Sequence, residues 1–92
     1  MEEKFHTINI EELFKTVSNF AIIEEIDKYL DVVDDKLEGI DQGGTIVFDG
    51  RAPIWLYCIV TNYTQQQRPD VIQYYSKPTT DGYRRFKIYP RE

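Results

Sequence analysis

The residues best suited to chemistry in this 92-residue chain lie in one turn, Asp49-Gly50-Arg51. The turn follows an apolar run typical of a buried strand, residues 44–48, and precedes Pro53, a residue favoured at the start of helices. Glycine lets the backbone approach a ligand closely, and arginine binds oxyanions through two parallel hydrogen bonds. Because the first N–H groups of a helix also favour anions, the pattern predicts an anion-binding site at this turn.

The same turn has a plainer interpretation. Gly50 can simply form the turn, and Arg51 can be solvated or paired with Asp49. Asp49 is also a candidate strand-end carboxylate, although a turn aspartate that bonds its own backbone explains it more simply. Cys58 follows within an apolar helix and is predicted to be a small core residue.

Groups for acid–base or metal catalysis are few in this sequence. His6 is the single histidine, and it lies far from the turn along the chain. There is no HExxH or CxxC pattern, no P-loop and no GxSxG elbow. An acidic stripe within residues 24–35 fits a solvated helix face better than a metal site. We therefore predict no metal ligands, no cofactor and no assignable catalytic residue.

Charge is distributed unevenly along the chain, whose net charge is −5. Residues 1–50 hold 13 acidic residues against four lysines, whereas residues 51–92 hold seven basic residues against three acidic ones. The acidic half argues against nonspecific binding to duplex nucleic acid, while the basic half suits a small anionic ligand. Without a signal peptide or an apolar run of about eighteen residues, the chain is predicted to be cytoplasmic and not bound to a membrane.

The first half of the chain reads as two helices after a short edge strand at residues 4–8. Asn9 is a good N-cap for the first helix, with Glu12 three residues on as in a capping box. A second helix is predicted over residues 20–37, where apolar side chains recur at helical spacing.

The second half contains the central strand-turn-helix unit, whose helix starts near Pro53 and is predicted to be buried nearly all round. A strand at 70–75, a turn at 76–82 and a strand at 83–89 then predict a C-terminal β-hairpin. The sequence therefore predicts a single α+β domain over residues 1–92. Its small single-layer sheet is packed by two or three helices.

The predicted last strand interleaves aromatic rings with cations on one face. That face carries Tyr83, Arg85, Lys87 and Tyr89. Rings can stack on bases and cations can hold phosphates, but a solvated face whose rings meet a partner subunit explains the pattern equally well. Seven tyrosines, five phenylalanines and one tryptophan exceed what one small core can bury. With the opposite charges of the two halves, they predict a homodimer or tetramer.

The segment Gly50-Arg51-Ala52-Pro53-Ile54-Trp55-Leu56-Tyr57 resembles the GRGPIWL motif of a small CRISPR-associated family, the ring nucleases of the Csx-three type. Tyr74 falls where that family has the tyrosine of a YDP motif, and the resemblance covers about residues 44–78. It implies a small α/β unit that assembles into dimers and tetramers. It also implies binding of cyclic tetra-adenylate, the second messenger of type III CRISPR systems, between oligomers, and its manganese-dependent cleavage.

Two departures from the family pattern bear on activity. Where the family has a histidine-rich segment near HxYHH, residues 62–66 read Asn-Tyr-Thr-Gln-Gln, and Tyr75 stands where the YDP motif has its aspartate. Asn62 and Gln65 can hydrogen-bond to adenines or phosphates but cannot replace histidine as a general acid or manganese ligand. The predicted ligand-binding residues are Gly50, Arg51, Ala52, Pro53, Ile54, Asn62, Gln65, Tyr75 and Arg85.

Three functions compete on this basis. The first is a protein that binds cyclic oligoadenylate to sequester or sense it, in type III CRISPR signalling or in a virus that opposes it. The second is a divergent ring nuclease that degrades cyclic tetra-adenylate, with manganese as its cofactor if it uses one. The third is an anti-CRISPR protein or another protein-interaction module whose acidic helix is the docking face.

Overall fold

The computed structural model describes residues 5–80 and 82–90, without the side chains of residues 78, 79 and 83. Over these residues the fold is a four-stranded sheet with helices between its strands. The strands are β1 (Phe5–Asn9), β2 (Thr45–Asp49), β3 (Ile72–Thr79) and β4 (Gly82–Tyr89). The α-helices of the described chain are α1 (Ile10–Lys15), α2 (Ile26–Glu38) and α3 (Ile54–Gln67). None of these helices is long and apolar enough to cross a membrane.

The sheet runs in the order β1-β2-β3-β4, with β1, β2 and β3 parallel and β4 antiparallel to β3. Ile8 pairs in register with Phe48, and both are buried in a core cluster with residues of all three helices. The helices therefore cover the face of the sheet that carries these side chains. The predicted α+β fold, with its single-layer sheet, central strand-turn-helix unit and C-terminal hairpin, is confirmed.

The first strand and helix match the sequence prediction closely. β1 is an edge strand, and the Lys4 of the predicted strand lies outside the described residues. Asn9 caps α1, because its Oδ1 accepts a hydrogen bond from the Glu12 N–H at 3.0 Å. The cap ties the carboxyl end of β1 directly to the start of α1.

The second helix starts later than predicted, at Ile26 after a single 3₁₀ turn. The hydroxyl of Tyr29, a fully buried residue, holds the preceding segment in a loop by bonding Ser18 Oγ at 2.8 Å and the Ile22 N–H at 2.9 Å. Ile22 and Ile23, which the periodicity placed on the buried face, are consequently exposed.

The third helix is not buried on all sides, so that prediction is wrong. Leu56, Val60 and Thr64 are fully buried on one face, while Ile54 is 82% exposed. Cys58 is also exposed and is not the core residue that the apolar sequence predicted. A single sheet layer can bury only one face of a helix, so the second apolar face needs another explanation.

The hairpin is tighter than predicted, because β3 continues to Thr79 and β4 begins at Gly82. The predicted turn at 76–82 is therefore mostly strand, and its Asp81 lies outside the described residues. A register shift at Gln73/Tyr74 pairs Tyr74 with Lys87 but Gln73 with Tyr89. The predicted face of alternating rings and cations is therefore not continuous. Tyr89 pairs with the buried Gln73 and lies on the opposite face of the sheet from Lys87.

The face of the sheet away from the helices is curved. The Arg85 guanidinium lies 4.6 Å from the centroid of the Phe5 ring. Phe5 belongs to β1 and Arg85 to β4, the two opposite edges of the sheet, so the contact requires the hairpin to bend over this face. Val47, which lies on that face, is accordingly only 3% exposed.

At the amino ends of β2 and β3, Arg68 joins the strands to the end of α2. Its guanidinium donates to three backbone carbonyls at 2.9–3.2 Å, those of Leu37, Ile40 and Asp41. Its Nε and Nη2 also donate to both carboxylate oxygens of Asp70 at 3.0 Å. The Asp70 carboxylate further accepts from the Gly43 N–H at 2.9 Å. The Arg68 bonds first, and then the Gly43 N–H, hold the pKa of Asp70 well below its usual range.

Candidate ligand-binding site

An open cavity of about 1180 Å³ lies at the carboxyl ends of β1, β2 and β3, against the start of α3. The carboxyl edge of parallel strands is the usual position of ligand sites in sheets covered by helices. One face of α3 forms a wall at i, i+3, i+4 and i+7 spacing, with Ile54, Tyr57, Cys58 and Thr61. The second apolar face of α3 is therefore the lining of this cavity.

The Asp49-Gly50-Arg51 turn forms the adjoining wall, and its backbone requires glycine. Gly50 has a φ of +94°, and a Cβ there would overlap Asn9 Oδ1, lie 2.8 Å from Asn9 Cγ and lie 3.0 Å from the Glu11 N. The Tyr57 hydroxyl donates a hydrogen bond to the Gly50 carbonyl. The turn is thus fixed against the N-cap of α1 on one side and against α3 on the other.

Two tyrosines give the cavity an aromatic wall. The rings of Tyr57 and Tyr75 meet edge to face, with centroids 5.2 Å apart and planes at 67°. Burial, followed by the neighbouring Tyr75, Asp49 and Glu11, raises the pKa of Tyr57 to about 12. Tyr57 therefore stays protonated near neutral pH and remains a hydrogen-bond donor rather than a base.

Arg51 is the free cation of the turn. Its side chain is exposed, and it makes no hydrogen bond or ion pair with the rest of the described chain. The start of α3 beside it has no side-chain cap, and the N–H groups of Ile54 and Trp55 have no acceptor among residues 5–80 and 82–90. The alternative in which Arg51 pairs with Asp49 is wrong, and the donors needed for an anion are available.

Acidic groups share the cavity with these donors. Asp49 and Glu11 both line it. Burial, and secondarily the charge of Glu12, raises the pKa of Asp49. Within the described chain neither Asp49 oxygen has a hydrogen-bond partner, and Oδ1 is buried. Asp49 does not bond its own backbone, contrary to the simpler sequence interpretation.

The structure brings five of the nine predicted binding residues together in the cavity wall, namely Gly50, Arg51, Ala52, Ile54 and Tyr75. Pro53 stands between them as the N-cap residue of α3. Asn62 and Gln65 are exposed further along α3 and do not line the cavity. Arg85 lies over Phe5 on the far face of the sheet.

Sequence reasoning did not assign several residues of the wall to the site. These are Asn9, Glu11, Tyr57, Cys58, Thr61, Ser76, Lys77 and Ile88, whereas Asp49 was considered as a strand-end carboxylate but not as a ligand-binding residue. The α3 members carried a usable signal, since a helix that is apolar on two sides must expose one of them in a single-layer fold. Lys77 and Ile88 carried none, because their position depends on the length and register of the hairpin.

The donor set does not fit the manganese ion that the motif resemblance implies. Manganese prefers carboxylate, carbonyl and water ligands, supplemented by histidine. Among the residues that the structure describes, no three His, Cys, Asp or Glu side chains are grouped closely enough to hold a metal ion. We therefore derive no catalytic step through a metal.

A family model of CRISPR-associated proteins, Cas_csx3, matches residues 24–77 of the chain, from the 3₁₀ turn before α2 through most of β3. The match includes the glycine turn and the whole cavity face of α3. The chain belongs to the Cas_csx3 family. The match starts twenty residues upstream of the motif resemblance, so the acidic helix is part of what this chain shares with the family. Comparison with curated proteins and with solved structures gives no match.

Proposed function

We propose that this Cas_csx3 protein binds a cyclic oligoadenylate, cyclic tetra-adenylate in the first place, at the carboxyl edge of its sheet. The observation that carries the proposal is the unpaired Arg51 beside the uncapped start of α3. A guanidinium and free helix N–H groups together suit a phosphate oxygen, through charge-assisted hydrogen bonds and the helix dipole.

The size of the cavity supports an oligonucleotide over a single nucleotide. Its volume of about 1180 Å³ exceeds the roughly 300–1,000 Å³ typical of small-molecule pockets. Tyr57 and Tyr75 supply ring surface, on which adenines can stack at about 1–3 kcal/mol per base. Lys77 adds a second cation to the wall. Phosphates, sugars and bases thus each have a group of suitable chemistry.

Sequestration or sensing fits this site better than rapid cleavage. Tyr57 has a pKa of about 12, too high for acid–base work near neutral pH. No histidine lines the cavity within the described chain. Any residual cleavage would depend on how the ring is held, with the ribose hydroxyl in line with its phosphate, and would not need a metal.

Calorimetry tests binding directly, with cyclic tri-, tetra- and hexa-adenylate titrated into the protein. Arg51→Ala should weaken binding by roughly 1.5–3 kcal/mol, as expected for a lost charged hydrogen bond. Arg85→Ala is the matched control, since it removes the same charge from the far face of the sheet. Absence of heat with every ring at tens of micromolar protein would overturn the proposal.

The ring-nuclease alternative is tested separately with labelled cyclic tetra-adenylate. We expect no linear product, or slow formation of it at a rate that neither manganese nor a chelator changes. Fast, chelator-sensitive turnover would replace the binding function with an enzymatic one.

We also propose that the protein is a homodimer or tetramer. Large apolar side chains on the described surface support this, with Phe20 77% exposed and Ile23 58% exposed. Light scattering at about 100 micromolar protein should give a multiple of the 10.9 kDa chain mass. The mass of a single chain at that concentration would contradict the proposal.

A further inference from the structure

Asp49 is the one charged group at the turn that phosphate binding leaves unexplained. A carboxylate beside Arg51 repels a bound phosphate, yet it lines the cavity and does not neutralise the arginine. Neither of its oxygens has a hydrogen-bond partner within the described chain; Oδ1 is buried, so Oδ2 is the oxygen that a ligand can reach. A partly buried acceptor without a donor is costly, so its presence here needs a reason.

We propose that Asp49 accepts a hydrogen bond from a ribose 2′-hydroxyl of the bound ring and thereby selects ribonucleotide over deoxyribonucleotide rings. The inference rests on the proposed binding of a cyclic oligoadenylate at this cavity. It makes Asp49 a specificity-determining residue. Asp49 lies directly before the GRGPIWL-like segment and is not part of it.

Covalent connectivity favours the ribose hydroxyl over other ligand donors. Asp49 and Arg51 are separated by Gly50 alone and lie on the same wall. In a nucleotide, the 2′-hydroxyl is attached to the carbon next to the one that carries the 3′-phosphate, whereas the adenine amino group is on the far side of the base. A phosphate held at Arg51 therefore places a 2′-hydroxyl near the neighbouring carboxylate. An ionised carboxylate is an acceptor only and suits a hydroxyl donor.

The other acid of the cavity is less suitable for this role. Glu11 interacts with Lys15 one helical turn away, with Oε2 to Nζ at 3.5 Å. Asp49 has no such cation, since Arg51 makes no ion pair in the described chain. Dinucleotide-binding folds also bond a ribose 2′-hydroxyl with a carboxylate, although theirs lies about 20 residues beyond the phosphate-binding glycine turn and not directly before it.

A ligand that lacks the hydroxyl leaves this acceptor unpaired, and sites built for a hydroxyl reject such ligands strongly. We expect wild-type protein to bind cyclic tetra-adenylate at least about tenfold more tightly than its all-2′-deoxy analogue. In Asp49→Ala this preference should fall to within about twofold, because the acceptor is gone.

Three comparisons make the test specific. Asp49→Asn keeps one carbonyl acceptor and should keep part of the preference, whereas Asp35→Ala, which removes an exposed acid on α2, should keep all of it. Cyclic tetra-inosinate, which lacks the adenine amino group, tests the base.

A wild-type protein that binds ribo and deoxy rings equally, or an Asp49→Ala variant that keeps the preference, overturns the inference while leaving ring binding in place. If Asp49→Ala instead loses only its preference for adenine over hypoxanthine, the carboxylate bonds the adenine amino group and the ribose assignment is overturned. If no ring binds to the wild type, the proposed function fails and this inference fails with it.

Discussion

Each end of the sheet carries an arginine and an aspartate two residues apart. The two side chains are paired with each other at one end and unpaired at the other. At the amino end, Arg68 and Asp70 flank a proline, and the guanidinium bonds both carboxylate oxygens and three backbone carbonyls. At the carboxyl end, Asp49 and Arg51 flank a glycine and do not pair. The first pair fixes helix α2 to the strands, whereas the groups of the second pair have no partner in the described chain and are available to the proposed ligand.

The difference between the two arginines suggests separate roles, one in the stability of the fold and the other in the proposed binding. An arginine that donates to five acceptors within the chain strengthens the structure and is not free to recognise a ligand. An unpaired arginine on a rigid turn contributes little to folding and is already positioned to bind. The variants below change one end of the sheet at a time.

The largest effect is expected for Gly50→Ala. A side chain there must adopt a φ of +94° and displace the Asn9 cap of α1, so the free energy of unfolding should fall by roughly 2–4 kcal/mol. Gly43→Ala at the other end is the control, because it has a φ of +76° but nothing within 4 Å of the new Cβ. It should cost about 1 kcal/mol, from backbone strain alone. Urea denaturation measures both, and equal losses would show that the contact with Asn9 is unimportant.

Exchanging the two arginines for alanine should give opposite results. Arg68→Ala removes the charged bonds to the end of α2 and should lower the free energy of unfolding by about 1.5–3 kcal/mol. Arg51→Ala should change it by less than about 0.5 kcal/mol, as at other exposed positions, while weakening ring binding. A strongly destabilised Arg51→Ala variant would mean that Arg51 has a structural partner after all.

The two aspartates should respond to pH with opposite signs. Asp70 has a lowered pKa in the folded protein, so its contribution to stability is present above the ordinary carboxyl pKa of about 4 and is lost as the pH falls through the folded value. Asp49 has a raised pKa, so its ionisation disfavours folding as the pH rises above about 4.

Melting temperatures between pH 3 and pH 7 test this contrast. At neutral pH Asp70→Asn should melt below the wild type, with a flatter loss of stability toward acid. Asp49→Asn should melt at or slightly above the wild type at neutral pH, where the unfavourable charge is removed. A lower melting temperature for Asp49→Asn than for Asp70→Asn would reverse the roles assigned to the two ends.

The smallest effect is expected on the curved far face. Arg85→Ala removes the cation that lies 4.6 Å from the Phe5 ring centroid, an exposed contact of about 0.5–1 kcal/mol. Stability should fall by that amount, and ring binding should stay within about twofold of wild type. Strong loss of binding in this variant would place the ligand on the far face instead of at the carboxyl edge.

The sequence identified the glycine turn, the Asn9 cap and the C-terminal hairpin because each depends on residues close together in the chain. It placed the start of α2 six residues too early, since the hydroxyl of Tyr29 holds residues 18–22 in a loop and no periodicity reports such a bond.

The predicted binding residues that line the cavity are nearly all from one local motif, and Tyr75 is the exception. Gly50 and Arg51 were found from their types and neighbours, but the absence of a partner for Asp49 follows from the whole packing around the turn. Arg68 bonds a carbonyl 31 residues away, so its role could not be separated in advance from that of Arg51. Arg85 lies away from the cavity, which the sequence did not indicate because strand alternation does not reveal which face of the sheet the helices cover.

Backbone amide NMR during titration with cyclic tetra-adenylate tests the central claim most directly. Binding at the carboxyl edge predicts the largest shifts at Gly50, Arg51 and Tyr75, with Gly43 and Asp70 at the opposite end unchanged. The Arg51→Ala variant should need a higher ligand concentration for the same shifts. Shifts centred on Phe5 and Arg85, or no shifts at saturating ligand, would contradict the account.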